Sequence, residues 1–201
     1  MLRMGLTGGI ASGKSAIAAM LREMGFPVLE ADIVAHKLIE PGQPAHDEVL
    51  REFGAELADA AGRIDRAKLA AIVFADRAKL AMLDSIIHPR TEEIIFRRFE
   101  EWQQSGVRDA AFVEAALLVE AGFDQKLDGM VVAFCTLEQQ IERLRTRGIS
   151  EVEAKRRLAA QLPVEEKLRH ATETINCSGT LEETRSQVRA LAAKLRKRAL
   201  G

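Results

Sequence analysis

The residues best suited to chemistry form a glycine-rich segment near the start of the chain, Gly8-Gly9-Ile10-Ala11-Ser12-Gly13-Lys14-Ser15. The segment matches the pattern G-x-x-x-x-G-K-[ST]. Its glycines allow the backbone to wrap around a phosphate group with N–H groups pointing inward, and a following helix would present its positive dipole end to the same anion. Lys14 could reach the β- and γ-phosphates of a nucleoside triphosphate, and the Ser15 hydroxyl could bind Mg²⁺. The pattern therefore predicts a nucleotide site, with an ordinary glycine turn at a helix start as the alternative.

Carboxylates stand at the ends of two predicted strands. Asp32 directly follows the second strand, and open α/β sheets bind ligands beyond the carboxyl ends of their strands. There Asp32 could accept a proton from an attacking hydroxyl, or orient it; the alternative is an N-cap for a helix over residues 33–39. We expect Glu30 to be solvated or salt-bridged. Glu114 ends the third strand and is expected either to hold Mg²⁺ through water or to be a surface carboxylate.

Short apolar runs alternate with helical patterns along the chain, which is typical of an α/β fold. Strands are predicted over residues 1–6, 26–29, 110–113, 130–134 and 174–177. The helix after the glycine segment has apolar residues at i, i+3, i+4 and i+7, and Gly25 is placed to end it. We therefore predict a P-loop nucleoside-triphosphate-hydrolase fold, with a five-stranded parallel sheet and flanking helices.

Two segments do not fit simple connections between strands. About eighty mostly helical residues separate the second and third strands, too many for an ordinary crossover. We interpret residues 33–105 as an inserted helical substrate domain and the charged residues 137–165 as a helical lid. The nucleotide-binding core would then comprise residues 1–32, 106–136 and 166–201, all within a single domain.

Composition limits the classes of partner. The chain has 29 Lys and Arg against 30 Asp and Glu, a formal net charge of −1, so it lacks the basic field that drives non-specific nucleic-acid binding. No apolar stretch approaches a membrane span. Cys135 and Cys177 lack metal-ligand spacing and are expected to be reduced, packed thiols. We expect a cytoplasmic monomer with small-molecule partners, no nucleic acid and no membrane.

Further short motifs follow the glycine segment in a distinctive order. They are Ala31-Asp32, Ile64-Asp65-Arg66, Ile86-Ile87-His88-Pro89 and Leu117-Leu118-Val119-Glu120. The lid segment adds Gln140, Arg143, Arg147, Ala154, Arg157, Gln161 and, just beyond it, Lys167. On these residues the chain resembles the dephospho-CoA kinase family nearly from end to end.

The resemblance implies an activity and a set of site residues. The activity is transfer of the γ-phosphate of ATP, with Mg²⁺, to the 3′-hydroxyl of dephospho-CoA, which gives coenzyme A and ADP in the last step of coenzyme A synthesis. ATP would be bound by Gly8, Gly9, Ile10, Ala11, Ser12, Gly13, Lys14, Ser15 and Ala16. Asp32 and Lys14 would be the catalytic residues. Dephospho-CoA would be bound by Arg66, His88, Pro89 and Arg90.

The predicted roles of the basic residues have alternatives. Arg143 and Arg147, four apart and predicted to share one helical face, would cover the adenine and approach the phosphates, with a solvated basic face as the alternative. For His88 and Pro89 the alternative is a helix-breaking turn with an incidental imidazole.

Some positions depart from the family pattern. Ala11 replaces a usual glycine, Ala16 a usual threonine and Glu30 a usual aspartate, while Cys177 stands where asparagine is usual. One alternative is another small-molecule or nucleotide kinase, which would share the loop, the lid and the inserted domain. The departures at Ala16, Glu30 and Cys177 leave open a second alternative, a non-catalytic ATP-binding regulator. A GTPase is disfavoured because the chain has no Asn-Lys-x-Asp motif.

Overall fold

The computed structural model describes the backbone of residues 1–200 and all of their side chains except those of Phe74 and Leu200. Gly201, to which we predicted the nucleotide-binding core to extend, lies outside the described residues. The chain forms two compact units. One unit combines Met1–Glu30 with the chain from Phe99 onward, and the other is Ala31–Arg98.

Five strands and nine helices make up the described chain. The strands are β1 (Leu2–Gly8), β2 (Val28–Glu30), β3 (Ala110–Glu114), β4 (Gly129–Phe134) and β5 (Glu173–Asn176). The helices are α1 (Lys14–Glu23), α2 (Ala31–Leu38), α3 (His46–Phe53), α4 (Arg66–Ala75), α5 (Arg77–Gln104), α6 (Leu137–Arg145), α7 (Glu151–Ala159), α8 (Val164–Arg169) and α9 (Leu181–Leu200). Single 3₁₀ turns occur at Ala55–Leu57 and Phe123–Gln125.

All five strands belong to one parallel sheet with the order β2-β3-β1-β4-β5, which confirms the predicted sheet. In the register, Glu114 of β3 pairs with Leu6 of β1 on one side and with Glu30 of β2 on the other. The carboxyl ends of these three strands therefore lie at one edge of the sheet. That edge is where an α/β sheet of this kind binds its ligands.

The helix after the glycine segment, α1, forms because its apolar residues share one buried face and a glycine ends it. Ile17, Met20 and Leu21 of α1 are buried, as their spacing predicted. Gly25 has φ 88° and donates its N–H to Arg22 O at 3.0 Å. These contacts, with the Phe26 N–H on Leu21 O at 3.0 Å, form a Schellman ending, so the prediction that Gly25 ends the helix is confirmed.

One apolar cluster joins the sheet to the helices that flank it. Helices α1 and α9 both contribute to it, and burial of this surface away from water is the main source of its stability. Its members include Met4, Leu6, Ile17, Leu21, Phe26, Phe112, Val131, Ile175, Val188, Leu191 and Leu195. The ring of Phe26 meets Phe112 edge-on, with centroids 5.9 Å apart. Phe26 is therefore a core residue that precedes β2, whereas we predicted that this strand would begin there.

The unit Ala31–Arg98 has an apolar cluster of its own, made of residues such as Leu38, Val49, Leu57, Ile86 and Ile87. Two alternatives from the sequence are wrong here. Helix α2 begins at Ala31, so Asp32 lies inside its first turn and is not its N-cap. Pro89 lies inside α5 and does not end it. A proline inside a helix costs about 3 kcal/mol, and burial of Ile86 and Ile87 in the turn before it offsets this cost.

Within the described part of the chain, no helix combines the length and the apolar character that crossing a bilayer requires.

Candidate active site

The glycine-rich loop joins the central strand β1 to α1. Gly8 and Gly13 have φ 147° and φ 109°, values that favour glycine. A Cβ on Gly8 would collide with the carbonyl oxygen of Ala133, and a Cβ on Gly13 would lie 2.8 Å from Cys177 Sγ. Ala11 has φ 58° and is the one non-glycine residue with positive φ in the described chain. Ala11 therefore adopts a left-handed conformation that favours glycine, and it is a strained residue within the loop.

The lysine of the loop bonds the loop backbone, whereas the two serine hydroxyls have no partner among the described residues. Lys14 Nζ donates to the carbonyl oxygens of Gly8 and Gly9, both at 3.0 Å. Ser15 is exposed in the first turn of α1, and its hydroxyl makes no hydrogen bond to another described residue. Ser12 is buried, and among the described residues its hydroxyl also has no partner. An unpartnered buried hydroxyl in an amide-rich loop suits a bound anion, which would supply the missing acceptor.

Arg143 of α6 makes hydrogen bonds to the loop and to the residues that follow two of the strands. Its Nη1 donates to Ala11 O at 3.1 Å and contacts Cys135 Sγ at 3.3 Å, while Nη2 donates to Cys177 O at 2.7 Å. The guanidinium therefore joins the loop to the residues that follow β4 and β5. We predicted that Arg143 and Arg147 would cover the adenine and approach the phosphates, and for Arg143 this stays a prediction.

Arg147 does not share a helical face with Arg143. Helix α6 ends at Arg145, and a capping turn follows in which the Gly148 N–H bonds Arg145 O at 2.9 Å. Arg147 lies in that turn, and its exposed side chain makes no ion pair or hydrogen bond with another described residue. The prediction of one shared helical face is therefore wrong, because the helix ends two residues before Arg147.

The two cysteines are free, buried thiols, as predicted. They follow β4 and β5 directly. Burial raises the pKa of Cys135, with the nearby cations Arg143 and Lys14 acting in the opposite direction. Burial also raises the pKa of Cys177. Both side chains therefore favour the neutral thiol, the less reactive form.

Two glutamines of the lid segment contact the loop at Ile10. Gln140 of α6 donates from Nε2 to Ile10 O at 2.8 Å, and Gln161, after α7, accepts from the Ile10 N–H at 2.9 Å through Oε1. The sequence identified these glutamines only as positions shared with a family. No local signal identified the contacts themselves, because the burial of Gln140 depends on the fold.

A buried ion pair links α8 to the loop after β3. Lys167 Nζ lies 2.6 Å from Glu120 Oε1 and donates to Ala116 O at 2.7 Å. The same carboxylate oxygen accepts from the Leu162 N–H at 3.0 Å, and Thr7 Oγ1 donates to Ala116 O at 3.2 Å. Sequence reasoning missed this network, because its members are far apart in the chain.

The carboxylates at the strand ends differ in their surroundings. Glu114 is buried, so the alternative of a surface carboxylate is wrong. Glu30 accepts from Arg22 Nη2 at 2.7 Å, which confirms the expected salt bridge. Asp32 is exposed and follows Glu30 by two residues along the chain.

The residues expected to bind the acceptor each have a separate partner in the unit Ala31–Arg98. Arg66 pairs with Glu40 at 3.0 Å, His88 with Asp84 at 3.4 Å and Arg90 with Glu48 at 2.6 Å. These separate partners therefore do not bring the three residues together. Pro89 lies between His88 and Arg90 within α5.

Comparisons with known proteins agree on one family. A family model described as CoaE, dephospho-CoA kinase, matches residues 2–183. A dephospho-CoA kinase of Corynebacterium glutamicum is 41% identical over 196 residues, which cover 97% of this chain and 98% of that protein. A crystal structure from Thermus thermophilus has a TM-score of 0.81 at 35% identity and covers 96% of this chain and 97% of that chain. A dephospho-CoA kinase from Campylobacter jejuni has a TM-score of 0.73 at 26% identity, with 97% of each chain covered.

Proposed function

The chain belongs to the dephospho-CoA kinase family, and on that premise we propose how its residues carry out the family's reaction. It is an enzyme that phosphorylates dephospho-CoA with ATP in coenzyme A biosynthesis. The observation that carries the residue assignment is the loop from Gly8 to Ser15 at the carboxyl end of the central strand, with the Lys14 ammonium 3.0 Å from two of its carbonyl oxygens.

The loop and the lid segment would bind ATP. Backbone N–H groups between Gly8 and Ala16 would surround the phosphates, and the Lys14 ammonium would exchange its carbonyl partners for phosphate oxygens. Arg147 is exposed in the turn after α6 and would reach the phosphates as a charge-assisted donor. Arg143 would support the adenine side of the site through its bonds to Ala11 and Cys177.

The residues present fit a magnesium ion that is bound mainly by nucleotide and water. No group of three or more His, Cys, Asp or Glu side chains in the described chain could hold a metal alone. Mg²⁺ in kinases usually takes one or two protein ligands and completes its octahedron with phosphate oxygens and water. The exposed Ser15 hydroxyl would be one ligand, and the buried Glu114 would act through water. When bound, the ion would neutralise charge on the phosphates.

The acceptor would be the 3′-hydroxyl of dephospho-CoA. Asp32 would accept its proton or orient it, a contribution of about 10²- to 10⁴-fold in rate. Arg66, His88 and Arg90 would meet the acceptor, with the two guanidiniums exchanging Glu40 and Glu48 for its pyrophosphate and Pro89 fixing the local shape of α5. Residues 33–105 would form the substrate domain and residues 137–165 the lid.

We propose a cytoplasmic monomer that binds no nucleic acid, and two features support the compartment and the absence of nucleic acid. The formal net charge of −1 gives no basic field for nucleic acid. Both thiols are free, which suits a reducing compartment. Sedimentation of the purified protein would test the monomer directly.

An assay with Mg-ATP and dephospho-CoA tests the residue assignment. Lys14→Ala and Asp32→Asn should each lower turnover by at least about 100-fold. Matched controls are Lys79→Ala, on the exposed side of α5, and Asp109→Asn, just before the amino end of β3; both should retain full turnover.

The outcomes separate the alternatives. Full turnover in folded Asp32→Asn would contradict its catalytic role alone. ADP formation without coenzyme A would indicate another acceptor. ATP binding without any phosphorylated product would indicate a regulator.

A further inference from the structure

Both backbone groups of Ile10 are held by side chains from the lid segment. The Ile10 N–H donates to Gln161 Oε1 at 2.9 Å, and Ile10 O accepts from Gln140 Nε2 at 2.8 Å. We propose that Gln140 and Gln161, together called the Ile10 clamp, are positioning residues that set the loop's curvature for phosphate binding. This inference rests on the proposed function only in assuming that the loop binds the phosphates of the nucleotide.

The second glycine of the loop makes room for this clamp. A Cβ on Gly9 would lie 2.5 Å from Gln140 Nε2, closer than carbon and nitrogen can approach. Gly9 has no positive φ that would call for glycine on conformational grounds. A side chain at this position would therefore displace the Gln140 amide from its present place against the loop.

The clamp acts together with Arg143 on consecutive carbonyl groups. Gln140 holds Ile10 O and Arg143 holds Ala11 O, and the two side chains lie three residues apart on one face of α6. Carbonyl oxygens carry partial negative charge and would repel a phosphate. When both oxygens are engaged by α6, the loop can present N–H groups to the anion. The Ile10 N–H is itself held by Gln161.

The two glutamines have opposite hydrogen-bonding roles, which makes the proposal testable. Gln140 donates and Gln161 accepts. A glutamate at position 161 can still accept from the Ile10 N–H, whereas a glutamate at position 140 cannot donate and would face the Ile10 carbonyl oxygen. Both variants add the same charge beside the loop. Both side chains also border a cavity of about 580 Å³, which leaves room for the exchanged groups.

Calorimetric titration with MgADP is the decisive experiment because it needs no acceptor. We expect Gln161→Glu to bind MgADP about ten-fold more tightly than Gln140→Glu. This difference in affinity corresponds to the loss of one hydrogen bond to the loop in Gln140→Glu. In steady-state assays Gln140→Glu should raise KM for ATP with little change in KM for dephospho-CoA. Gln103→Glu, exposed near the end of α5, is the charge control and should bind as the unaltered protein does.

A second set of variants covers the case in which Gln140→Glu does not fold. Gly9→Ala and Gln140→Leu should each weaken MgADP binding. The double variant should bind MgADP no more weakly than the single variant with the larger loss of affinity, because both substitutions remove the same contact. Equal MgADP affinity in Gln140→Glu and Gln161→Glu, or additive losses in the double variant, would overturn the clamp. Absence of MgADP binding by the unaltered protein would overturn the proposed nucleotide site as well.

Discussion

Lys167 and Glu120 form an ion pair in which the ammonium has no solvent exposure and lies 2.6 Å from the carboxylate. The Glu120 side chain retains 22% of its exposure, whereas the buried Lys167 ammonium needs the carboxylate to compensate its charge. Lys167 satisfies a second acceptor at Ala116 O, and Glu120 a second donor at the Leu162 N–H. The pair therefore connects α8, the end of the lid segment and the loop after β3.

Removal of this lysine should destabilise the protein. Lys167→Met leaves the partly exposed Glu120 without its cation and Ala116 O without one donor, and the free energy of unfolding should fall by about 1 to 3 kcal/mol. Urea denaturation measures the loss. Lys155→Met breaks an exposed pair with Glu151 that has the same 2.6 Å separation and should have no measurable effect. Equal losses of unfolding free energy in the two variants would show that the buried pair contributes no more stability than the exposed pair.

Ala11→Gly should stabilise the protein slightly. An alanine at φ 58° costs about 1 to 2 kcal/mol, and glycine removes this strain while adding about 0.5 to 1 kcal/mol of unfolded-state entropy. The expected net gain is about 0.5 kcal/mol in urea denaturation. Ala18→Gly, in the interior of α1, should instead lose about 1 kcal/mol. A loss at both positions would mean that Ala11 is not strained.

Arg147→Ala should raise KM for ATP by about ten-fold, because one charge-assisted hydrogen bond to phosphate would be lost. Arg145→Ala is the matched control: this arginine ends α6, is exposed and pairs with Glu142 at 3.7 Å. Its KM for ATP should stay unchanged. The same KM in both variants would remove Arg147 from the ATP site.

The pH dependence of stability should include a contribution from His46. Hydrogen bonds to Asp47 and to the Gly62 carbonyl, each 2.7 Å long, raise the pKa of this imidazole, with Asp47 the larger cause. A raised pKa favours the folded state fully below the ordinary value of 6.5, and this stabilisation is lost as pH rises through the folded value.

Urea denaturation at pH 5.5 and pH 8 tests this contribution. His46→Gln should reduce the stability difference between the two pH values. His36→Gln, exposed in α2, should retain it. An unchanged pH profile in His46→Gln would contradict the assignment.

Cys135 and Cys177 should react slowly with a thiol reagent in the folded protein at pH 8. Burial raises the pKa of both thiols, so little thiolate is present. In urea both should react at the rate of free cysteine. Because the unfolded thiols ionise at lower pH than the folded ones, stability should also fall as pH rises past about 9. Fast reaction of the folded protein would show that the thiols are accessible.

Local patterns predicted the elements that local chemistry controls. The spacing of Ile17, Met20 and Leu21 and the position of Gly25 were sufficient for α1, since a helix face and a Schellman ending involve neighbours in sequence. The parallel sheet followed from short apolar runs between helices. The strand boundary at Phe26 was missed because its ring belongs to a contact with Phe112, which no local pattern reveals.

Contacts between distant residues account for what could not be predicted. The hydrogen bonds of Arg143 depend on where β4 and β5 end, because its partners Cys135 and Cys177 follow those strands. The partners Lys167 and Glu120 are 47 residues apart, and Gln161 and Ile10 are 151 apart. Side-chain types restrict such pairings without selecting one of them.

The central place of β1 has a consequence for the order of synthesis. This strand, whose carboxyl end begins the nucleotide loop, pairs only with β3 and β4, which lie roughly 100 residues further along the chain. At about 5 to 20 residues per second, a ribosome needs on the order of 5 to 20 s to deliver them. During that interval the apolar residues of β1 have no sheet to join, whereas residues 31–98 already contain their own apolar cluster. A nascent chain therefore exposes its first strand longest, and a chaperone that acts early in translation would meet it there.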